Sequence, residues 1–160
     1  MRLTVYTDYA LRVLMYIAVH PEPKPTIAGI AAAHGVSRGH LMKVVYELGV
    51  AGYIETVRGN RGGLRLKRPP EQIGLGEVIR HTEPDLDIVP CLARDDADCC
   101  ALTPACNLRG ALNRARAAFL EVLDGYSLAD LVQNRDALAS LLPSPSDDRP
   151  SRGRTLAPPP

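Results

Sequence analysis

Two short apolar patterns of helical spacing, separated by one glycine, most constrain the fold of this chain. The first begins at Thr26, a residue type that caps helices, and stops at Gly35, where glycine can adopt a left-handed conformation. The second begins at another cap, Ser37. Its apolar residues are Leu41, Val44, Val45 and Leu48. Two short helices around a turn of three to four residues are typical of a helix-turn-helix.

A longer helix is predicted ahead of this pair. Apolar residues recur at helical spacing after Asp8, and they include Leu11, Leu14, Ile17 and Ala18. Either Thr7 or Asp8 is expected to cap this helix. The proline-rich residues 20–25 end it, because proline cannot donate the next helical hydrogen bond. The three helices together predict a small apolar core.

A basic hairpin follows the third helix. Residues 53–57 are rich in β-branched and aromatic side chains, residues 58–63 contain three glycines, and residues 64–67 alternate apolar and basic. A glycine-rich phosphate loop is the weaker interpretation, because the Gly-Lys-Ser/Thr motif is missing and no helix follows directly. A helix-turn-helix with a basic hairpin predicts a winged helix-turn-helix domain over residues 1–82.

The winged domain carries polar side chains where double-stranded DNA would be read. Early positions of a recognition helix meet base edges in the major groove, and the candidates there are Ser37, Arg38, His40 and Lys43. Arginine on a thin tip suits the narrow minor groove, where negative potential is concentrated. The candidates on the wing are Arg58, Asn60, Arg61 and Arg65, with Lys67 and Arg68 behind them. An ordinary three-helix core with a polar outer face is the alternative.

The charge distribution favours a nucleic-acid contact in the front half only. The chain has a net charge of +1, but residues 1–80 hold 11 Lys+Arg against 6 Asp+Glu, and residues 81–160 hold 8 against 12. The halves therefore carry +5 and −4, and a polyanion would meet the first. The alternative is a solvated basic face without a partner.

The first residues predict neither a signal peptide nor a membrane span. Asp8 precedes any apolar run, and Arg12 interrupts the apolar stretch that follows. We therefore expect a cytoplasmic protein without a membrane partner, in which cysteine thiols stay reduced.

A long helix is predicted in the back half, after a short helix over residues 76–82 and an acidic segment. It follows Cys106, and its apolar side consists of Leu108, Leu112, Ala115, Phe119, Val122 and Leu123. A helix of about 20 residues spans about 30 Å, which is longer than so small a domain needs for its own core. This length favours a homodimer, with packing across its own winged domain as the alternative. Ser127 is expected to cap a last helix.

All four cysteines of the chain lie within residues 91–106, and they are Cys91, Cys99, Cys100 and Cys106. Disulfides are disfavoured in a reducing compartment, which leaves a bound metal or a redox role. Iron–sulfur clusters and structural zinc both take thiolates, but the paired Cys-x2-Cys knuckles of zinc sites are missing here. Because adjacent cysteines point apart, three cysteines and one ligand from elsewhere are favoured over four cysteines.

Four separate motifs resemble the Rrf2 family of winged-helix iron–sulfur repressors. They are Thr7–Arg12, Val57–Gly63, Leu102–Leu108 and Tyr126–Leu131, and the likeness covers residues 1–133. Within the family, the motifs are most similar to the nitric-oxide-sensing branch. The resemblance implies a homodimeric repressor that binds a palindromic operator and holds one iron–sulfur cluster per subunit. Its implied signal is nitric oxide, and cluster loss would release the genes of nitric-oxide detoxification.

The resemblance also implies the cluster ligands. Three loop cysteines hold the cluster in the family, and Cys100 keeps the family's spacing to Cys106, so the candidates are Cys91, Cys100 and Cys106. Cys99 is the alternative ligand. In members with a 4Fe–4S cluster, an aspartate from the partner's first helix is the fourth ligand, and Asp8 matches that position. A 4Fe–4S cluster is therefore expected in preference to a 2Fe–2S cluster.

Two sequence features distinguish this chain within the family. Arg109 stands where the branch that regulates iron–sulfur biogenesis has histidine, and the interval after Cys91 is longer than the family usually shows. A zinc-stabilised protein or a general regulator of redox state or iron–sulfur supply is the alternative function. An enzyme is not expected, because the four histidines are scattered and neither a catalytic triad nor a Cys-x-x-Cys motif is present.

These predictions divide the chain into four parts and give a mainly α fold with a small β-hairpin. Residues 1–82 form the winged helix-turn-helix domain, and residues 83–106 form the cysteine-containing loop. Residues 104–142 supply the dimerisation helix and a C-terminal helix. Residues 143–160, rich in proline, serine, aspartate and arginine, are expected to be a disordered tail.

Overall fold

The structure is a computed structural model that describes residues 2–59, 61–93 and 100–142. Its helices are α1 (Val5–Val19), α2 (Ile27–His34), α3 (Arg38–Val50), α4 (Leu75–Thr82), α5 (Pro90–Ala93), α6 (Asn107–Asp124), α7 (Leu128–Leu131) and α8 (Arg135–Leu141). Its strands are β1 (Ile54–Val57) and β2 (Gly63–Leu66), and they form one antiparallel sheet. The predicted fold class, mainly α with a small β-hairpin, is confirmed. The predicted tail at residues 143–160 lies outside the described residues.

Polar caps and one glycine set the ends of the two helices in the helix-turn-helix. The hydroxyl of Thr26 accepts a hydrogen bond from the Gly29 N–H, and the hydroxyl of Ser37 accepts one from the His40 N–H. Gly35 lies between the helices with φ of +62°, a backbone conformation that residues other than glycine rarely adopt. These three local predictions are confirmed.

The start of α1 differs from the prediction. Thr4 is the cap, since its hydroxyl accepts a hydrogen bond of 3.2 Å from the Thr7 N–H. Thr7 and Asp8, which were predicted as alternative caps, lie inside the first turn instead. The apolar pattern did not indicate this start, because Val5, the first residue of the helix, is 53% exposed and does not belong to the buried side.

The core of the winged domain is built around α1. Leu14 and Ile17 are buried in one apolar cluster with Ile30 of α2 and with Leu41 and Leu48 of α3. Complete burial of such a side chain contributes about 1.5–3 kcal/mol relative to exposure. The predicted residues Leu14, Ile17, Leu41 and Leu48 therefore help to hold the helices together, whereas Leu11 and Ala18 of the predicted α1 pattern are only partly buried.

The wing is a short hairpin that is fastened to the helices at its base. Ile54 pairs with Leu66 and Val57 pairs with Gly63. The N–H of Leu64 donates a hydrogen bond of 2.8 Å to the carbonyl of Pro25, which precedes α2. The position of the wing is thereby tied to the helix-turn-helix.

The chain returns to the winged domain after α6. The Leu75 N–H donates to the Tyr126 carbonyl and the Leu128 N–H donates to the Ile73 carbonyl, both at 2.8 Å. Leu128 is 2% exposed and belongs to the main core cluster. The single last helix predicted after Ser127 is in fact two short helices, α7 and α8, although Ser127 caps the first as expected.

The long helix α6 contains 18 residues, and none of them is buried. At about 1.5 Å per residue it spans about 27 Å. No helix within the described ranges is long and apolar enough to cross a membrane.

Candidate nucleic-acid interface and cysteine segment

The first turns of α3 present the predicted DNA-reading side chains to solvent. Arg38, His40 and Lys43 are exposed, while the opposite face of the helix is buried in the core. Ser37 is exposed as well, but its hydroxyl oxygen already accepts the capping hydrogen bond. The helix therefore offers two cations and an imidazole on a surface that a groove could receive.

Two further residues of this surface were missed by the sequence reasoning. Met42 is 53% exposed and Tyr46 is 67% exposed on α3. Apolar side chains on a recognition helix suit the methyl group of thymine, and a tyrosine hydroxyl suits a phosphate or a base edge. The sequence signal that could have identified them is their spacing of four residues, which places both on one side of α3, away from its buried residues.

The tip of the wing is basic and open. Arg58 and Arg61 are both exposed, and Gly59 between them has φ of +113°. At Gly62, an added Cβ would lie 2.4 Å from the carbonyl oxygen of Val57, so the turn admits no side chain there. Asn60, a predicted DNA contact, lies outside the described residues.

The base of the wing uses its cations for internal contacts. Arg65 Nε lies 2.6 Å from Glu55 Oε1 on the paired strand. Arg65 remains a predicted DNA contact, but binding there would compete with this ion pair. Its guanidinium is therefore less available than those of the wing tip.

A second cluster at the base of the wing involves a buried tyrosine. Arg68 stacks over the Tyr53 ring, with 5.0 Å between Cζ and the ring centroid, and it pairs with Glu77 at 2.8 Å. Burial and the nearby Glu77 carboxylate raise the pKa of Tyr53 to about 12. The hydrogen bond from Arg68 lowers the pKa of Glu77. This cluster fixes the chain that leads from β2 to α4.

The three described cysteines lie between the start of α5 and the start of α6. Cys91 is half-buried in α5, Cys100 is exposed, and Cys106 is half-buried at the start of α6. The Cys106 sulfur accepts a hydrogen bond of 3.4 Å from the Arg109 N–H and so caps α6. Cys99 lies outside the described residues.

The donor types of this segment fit an iron–sulfur cluster, which takes cysteine thiolates. Cys91, Cys100 and Cys106 are all free thiols. Within the described ranges, however, no three His, Cys, Asp or Glu side chains are close enough together to hold a metal ion. The predicted ligand set therefore stays a prediction.

Asp8 lies on the exposed side of α1, in its first turn. Its carboxylate pairs with Arg12 at 2.9 Å, one helical turn further on, and its side chain is 48% exposed. A carboxylate in this position is accessible to a second subunit. Its predicted role as a ligand across the dimer is not tested by a single chain.

Two acidic residues fasten the segment between α4 and α5. The Glu83 carboxylate accepts a hydrogen bond of 2.8 Å from the Thr4 N–H at the start of α1. The Asp87 carboxylate pairs with Arg116 on α6. The acidic composition of this segment thus has a structural basis at these two positions.

A helix-turn-helix with an exposed basic recognition helix and a basic wing defines a winged-helix transcription regulator. The family model Rrf2, described as an iron-dependent transcriptional regulator, matches residues 3–134. The chain belongs to this family, which confirms the resemblance. Because the family consists of transcriptional regulators, the prediction that the chain is not an enzyme is also confirmed.

Individual relatives and solved structures agree with this membership. The chain is 53% identical to the HTH-type transcriptional regulator NsrR of Geobacillus kaustophilus (strain HTA426), over 89% of this chain and 97% of the relative. It is 48% identical to the regulator of that name in Bacillus subtilis (strain 168), with the same coverage of both chains.

Solved structures share the fold over most of the chain. CymR (YrzC), the global cysteine regulator of B. subtilis, superimposes with a TM-score of 0.69 at 27% identity, over 84% of this chain and 98% of CymR. T. potens IscR has the same TM-score at 24% identity, over 87% and 91% of the two chains, and shows the fold alone.

Proposed function

We propose that the chain is a homodimeric repressor that binds a palindromic operator and releases it when nitric oxide reacts with a bound iron–sulfur cluster. The observation that carries this proposal is the identity of 45–53% to regulators named NsrR, over 89% of the chain. The motif resemblance to the nitric-oxide-sensing branch supports the same conclusion. The released genes are those of nitric-oxide detoxification, and the protein acts in the cytoplasm, where it meets DNA.

The recognition helix and the wing supply the DNA contacts. Exposed Arg38 and Lys43 suit bases and phosphates of the major groove, and exposed Arg58 and Arg61 suit the minor groove. A symmetric operator requires two recognition helices about 34 Å apart on one face of the duplex. A small change in how two subunits are arranged would therefore weaken both half-site contacts.

The cysteine segment holds the cluster in this proposal. Cys91, Cys100 and Cys106 are the ligands from one chain, Asp8 of the partner subunit is the fourth, and Cys99 is the alternative to Cys100. A 4Fe–4S cluster suits this set better than a 2Fe–2S cluster. When bound, it supplies the iron with which nitric oxide reacts. The exposure of Cys100 leaves this side of the segment accessible to a dissolved gas.

Contacts of the cysteine segment connect it to the two helices that would set the subunit arrangement. Glu83 accepts a hydrogen bond from Thr4 at the start of α1, and Asp87 pairs with Arg116 on α6. Cys106 is itself the cap of α6. A displacement of Cys106 would therefore reach α6 directly, and α1 would be reached through the segment that carries Glu83.

Anaerobic operator binding tests this function. We expect nitric oxide to weaken operator binding by the holo-protein by about 5- to 150-fold, the usual range of coupling between two sites. The loss should follow the bleaching of the cluster's visible absorption. Cluster-free protein given the same nitric oxide is the control and should keep its affinity. Complete bleaching with unchanged operator affinity would show that the cluster does not sense nitric oxide.

The family's description as iron-dependent favours a second candidate, a general regulator of redox state or iron–sulfur supply. Operator release on iron limitation, with no response to nitric oxide, would identify that function. A zinc-stabilised protein would instead contain zinc and no acid-labile sulfide. Metal and sulfide analysis of the purified protein therefore separates these candidates.

A further inference from the structure

A cavity of about 540 Å³ lies between the wing and the last helix, away from the cysteines. The end of α1 and the turn after it form one side, β2 and the residues that follow it form another, and Arg135, the first residue of α8, also lines it. Twelve residues line it. Its volume is in the range of small-molecule sites.

The wall of the cavity is strongly cationic. Five of its lining residues are lysine or arginine, and one, Glu22, is a carboxylate. Three of the cations have carboxylate partners: Lys24 pairs with Glu22, Arg65 with Glu55, and Arg68 with Glu77. These three are largely neutralised in place.

The other two cations have no carboxylate partner. Lys67 and Arg135 form no ion pair with any residue of the described ranges. Arg135 is held by its Nε, which donates a hydrogen bond of 3.0 Å to the carbonyl of Val19. This contact fixes the guanidinium at the cavity while leaving its other nitrogens for a ligand. Two uncompensated cations at one cavity favour an anion.

The floor of the cavity is apolar. Ala18, Leu66, Pro69 and Pro70 supply its accessible surface, and Ile17 is buried beneath them. A nucleic-acid backbone would contact the cations but would bury little apolar surface against such a floor. A ligand with an apolar body, in contrast, would be stabilised by burial against these side chains.

We propose that this cavity binds a small organic anion. Lys67 and Arg135 receive its carboxylate or phosphate group, and Ala18, Leu66 and Pro69 receive its apolar body. The site is separate from the proposed nitric-oxide response and does not depend on it. Because Lys67 directly follows β2, an occupied site would join α8 to the base of the wing.

Calorimetric titration of the full chain, without DNA, tests the proposal with three probes: hexyl phosphate, sodium hexanoate and inorganic phosphate. We expect hexyl phosphate to bind at least about tenfold more tightly than inorganic phosphate, because several methylene groups become buried. Lys67→Gln and Arg135→Gln should each weaken hexyl phosphate and hexanoate by about tenfold, the effect of losing one charge-assisted hydrogen bond. Arg114→Gln, which removes an exposed cation of α6, should change nothing.

A substitution in the floor separates the apolar contribution from the charge. Ala18→Leu should weaken hexyl phosphate and leave inorganic phosphate unchanged, and unfolding curves verify that each variant is folded. Equal affinities for hexyl phosphate and inorganic phosphate would overturn the proposal. It would also be overturned if the small probes failed to bind while Lys67→Gln and Arg135→Gln weakened duplex DNA binding, since these cations would then contact the phosphate backbone.

Discussion

Asp8 forms a surface ion pair in the single chain and is proposed as a cluster ligand in the dimer. Its pair with Arg12 joins two half-exposed side chains one helical turn apart. Such pairs contribute about 0.3–0.5 kcal/mol to stability. Thr4, rather than Asp8, caps the helix, so loss of the carboxylate leaves the start of α1 intact.

Asp8→Ala therefore separates ligation from stability. We expect this variant to lose or convert its cluster, because the proposed fourth ligand is gone, while the free energy of unfolding of the apo-protein falls by less than about 1 kcal/mol. Anaerobic absorption spectra and native mass spectrometry would measure the first effect, and urea unfolding the second. Arg12→Ala is the matched control, since it removes the same ion pair and keeps the carboxylate. A normal cluster in Asp8→Ala would exclude Asp8 as a ligand.

The residues that sequence alone could predict are those whose role is local. Thr26, Ser37 and Gly35 act on helix ends within a few positions of themselves, so their residue types were enough to predict these ends. The hydrogen bond from Thr4 to Glu83, in contrast, joins residues 79 positions apart. No spacing rule predicts such a contact, because it depends on how α1 and α4 pack.

Among the helices, α4 and α6 are joined by a two-pronged ion pair. Arg80 Nη1 lies 2.5 Å from Asp124 Oδ1, and Nη2 lies 2.7 Å from Oδ2. Gly76 faces this pair closely, and a Cβ added there would lie 2.0 Å from Asp124 Oδ1. The end of α6 is thus fixed to the winged domain by two hydrogen bonds between Arg80 and Asp124. The absence of a side chain at Gly76 allows Asp124 to lie this close to α4.

This ion pair should make the junction sensitive to acid. The hydrogen bond from Arg80 lowers the pKa of Asp124. A carboxylate whose pKa is lower in the folded state binds protons more readily when unfolded, so its stabilising effect is present above about pH 4 and is lost as pH falls through the folded pKa. Urea midpoints of Asp124→Asn should accordingly lie below those of the wild type at pH 7 and approach them at the acid end.

Asp136→Asn provides the comparison for this prediction. Asp136 is exposed on α8 and forms no ion pair with a residue in the described ranges. Its substitution should leave the urea midpoints close to those of the wild type at pH 7. A difference between wild type and Asp124→Asn that stayed constant with pH would contradict the role of the ion pair.

The boundaries of the long helix were easier to predict than its surroundings. A helix of about 20 residues was predicted after Cys106, and α6 begins at Asn107 and contains 18 residues. The return of Leu128 to the core was not predicted, since that residue could equally have packed within a separate C-terminal unit. Its burial depends on the hydrogen bonds between residues 73–75 and residues 126–128.

At the scale of the whole molecule, α6 leaves a large apolar surface uncovered. Leu108 is 64% exposed and Val122 is 61% exposed, and no residue of the helix is buried in the single chain. Long helices with an uncovered apolar side are typical of oligomer interfaces. The predicted dimer would cover this side.

Two charges on this surface should therefore produce a monomer. We expect the combined substitution Leu108→Glu and Val122→Glu to raise the dimer dissociation constant at least about 100-fold, because burial of two large aliphatic side chains is lost. Sedimentation velocity would measure the change. Leu141→Glu, at a position 77% exposed on α8, is the control and should remain dimeric. A dimer unaffected by both α6 substitutions would place the interface elsewhere.

The sequence predicted which residue types form the candidate sites, and the proposed sites also require DNA or a second chain. The basic wing and recognition helix follow from residue types and spacing, and both are exposed as expected. The cysteines could be recognised as ligands by type, but the described ones do not converge on a metal position. A ligand set shared between two subunits cannot be assembled from the periodicity of one.

The Cys106 cap has a practical consequence for anyone who joins this regulator to another protein. The same sulfur that is proposed to bind iron also terminates the hydrogen-bond ladder of α6. In a chimera whose two parent sequences join between Cys106 and Asn107, the proposed ligand Cys106 and the first turn of α6, which it caps, would come from different proteins. A chimera should therefore exchange residues 100–124 as one block. Changes of length belong between Cys91 and Cys100, outside this block.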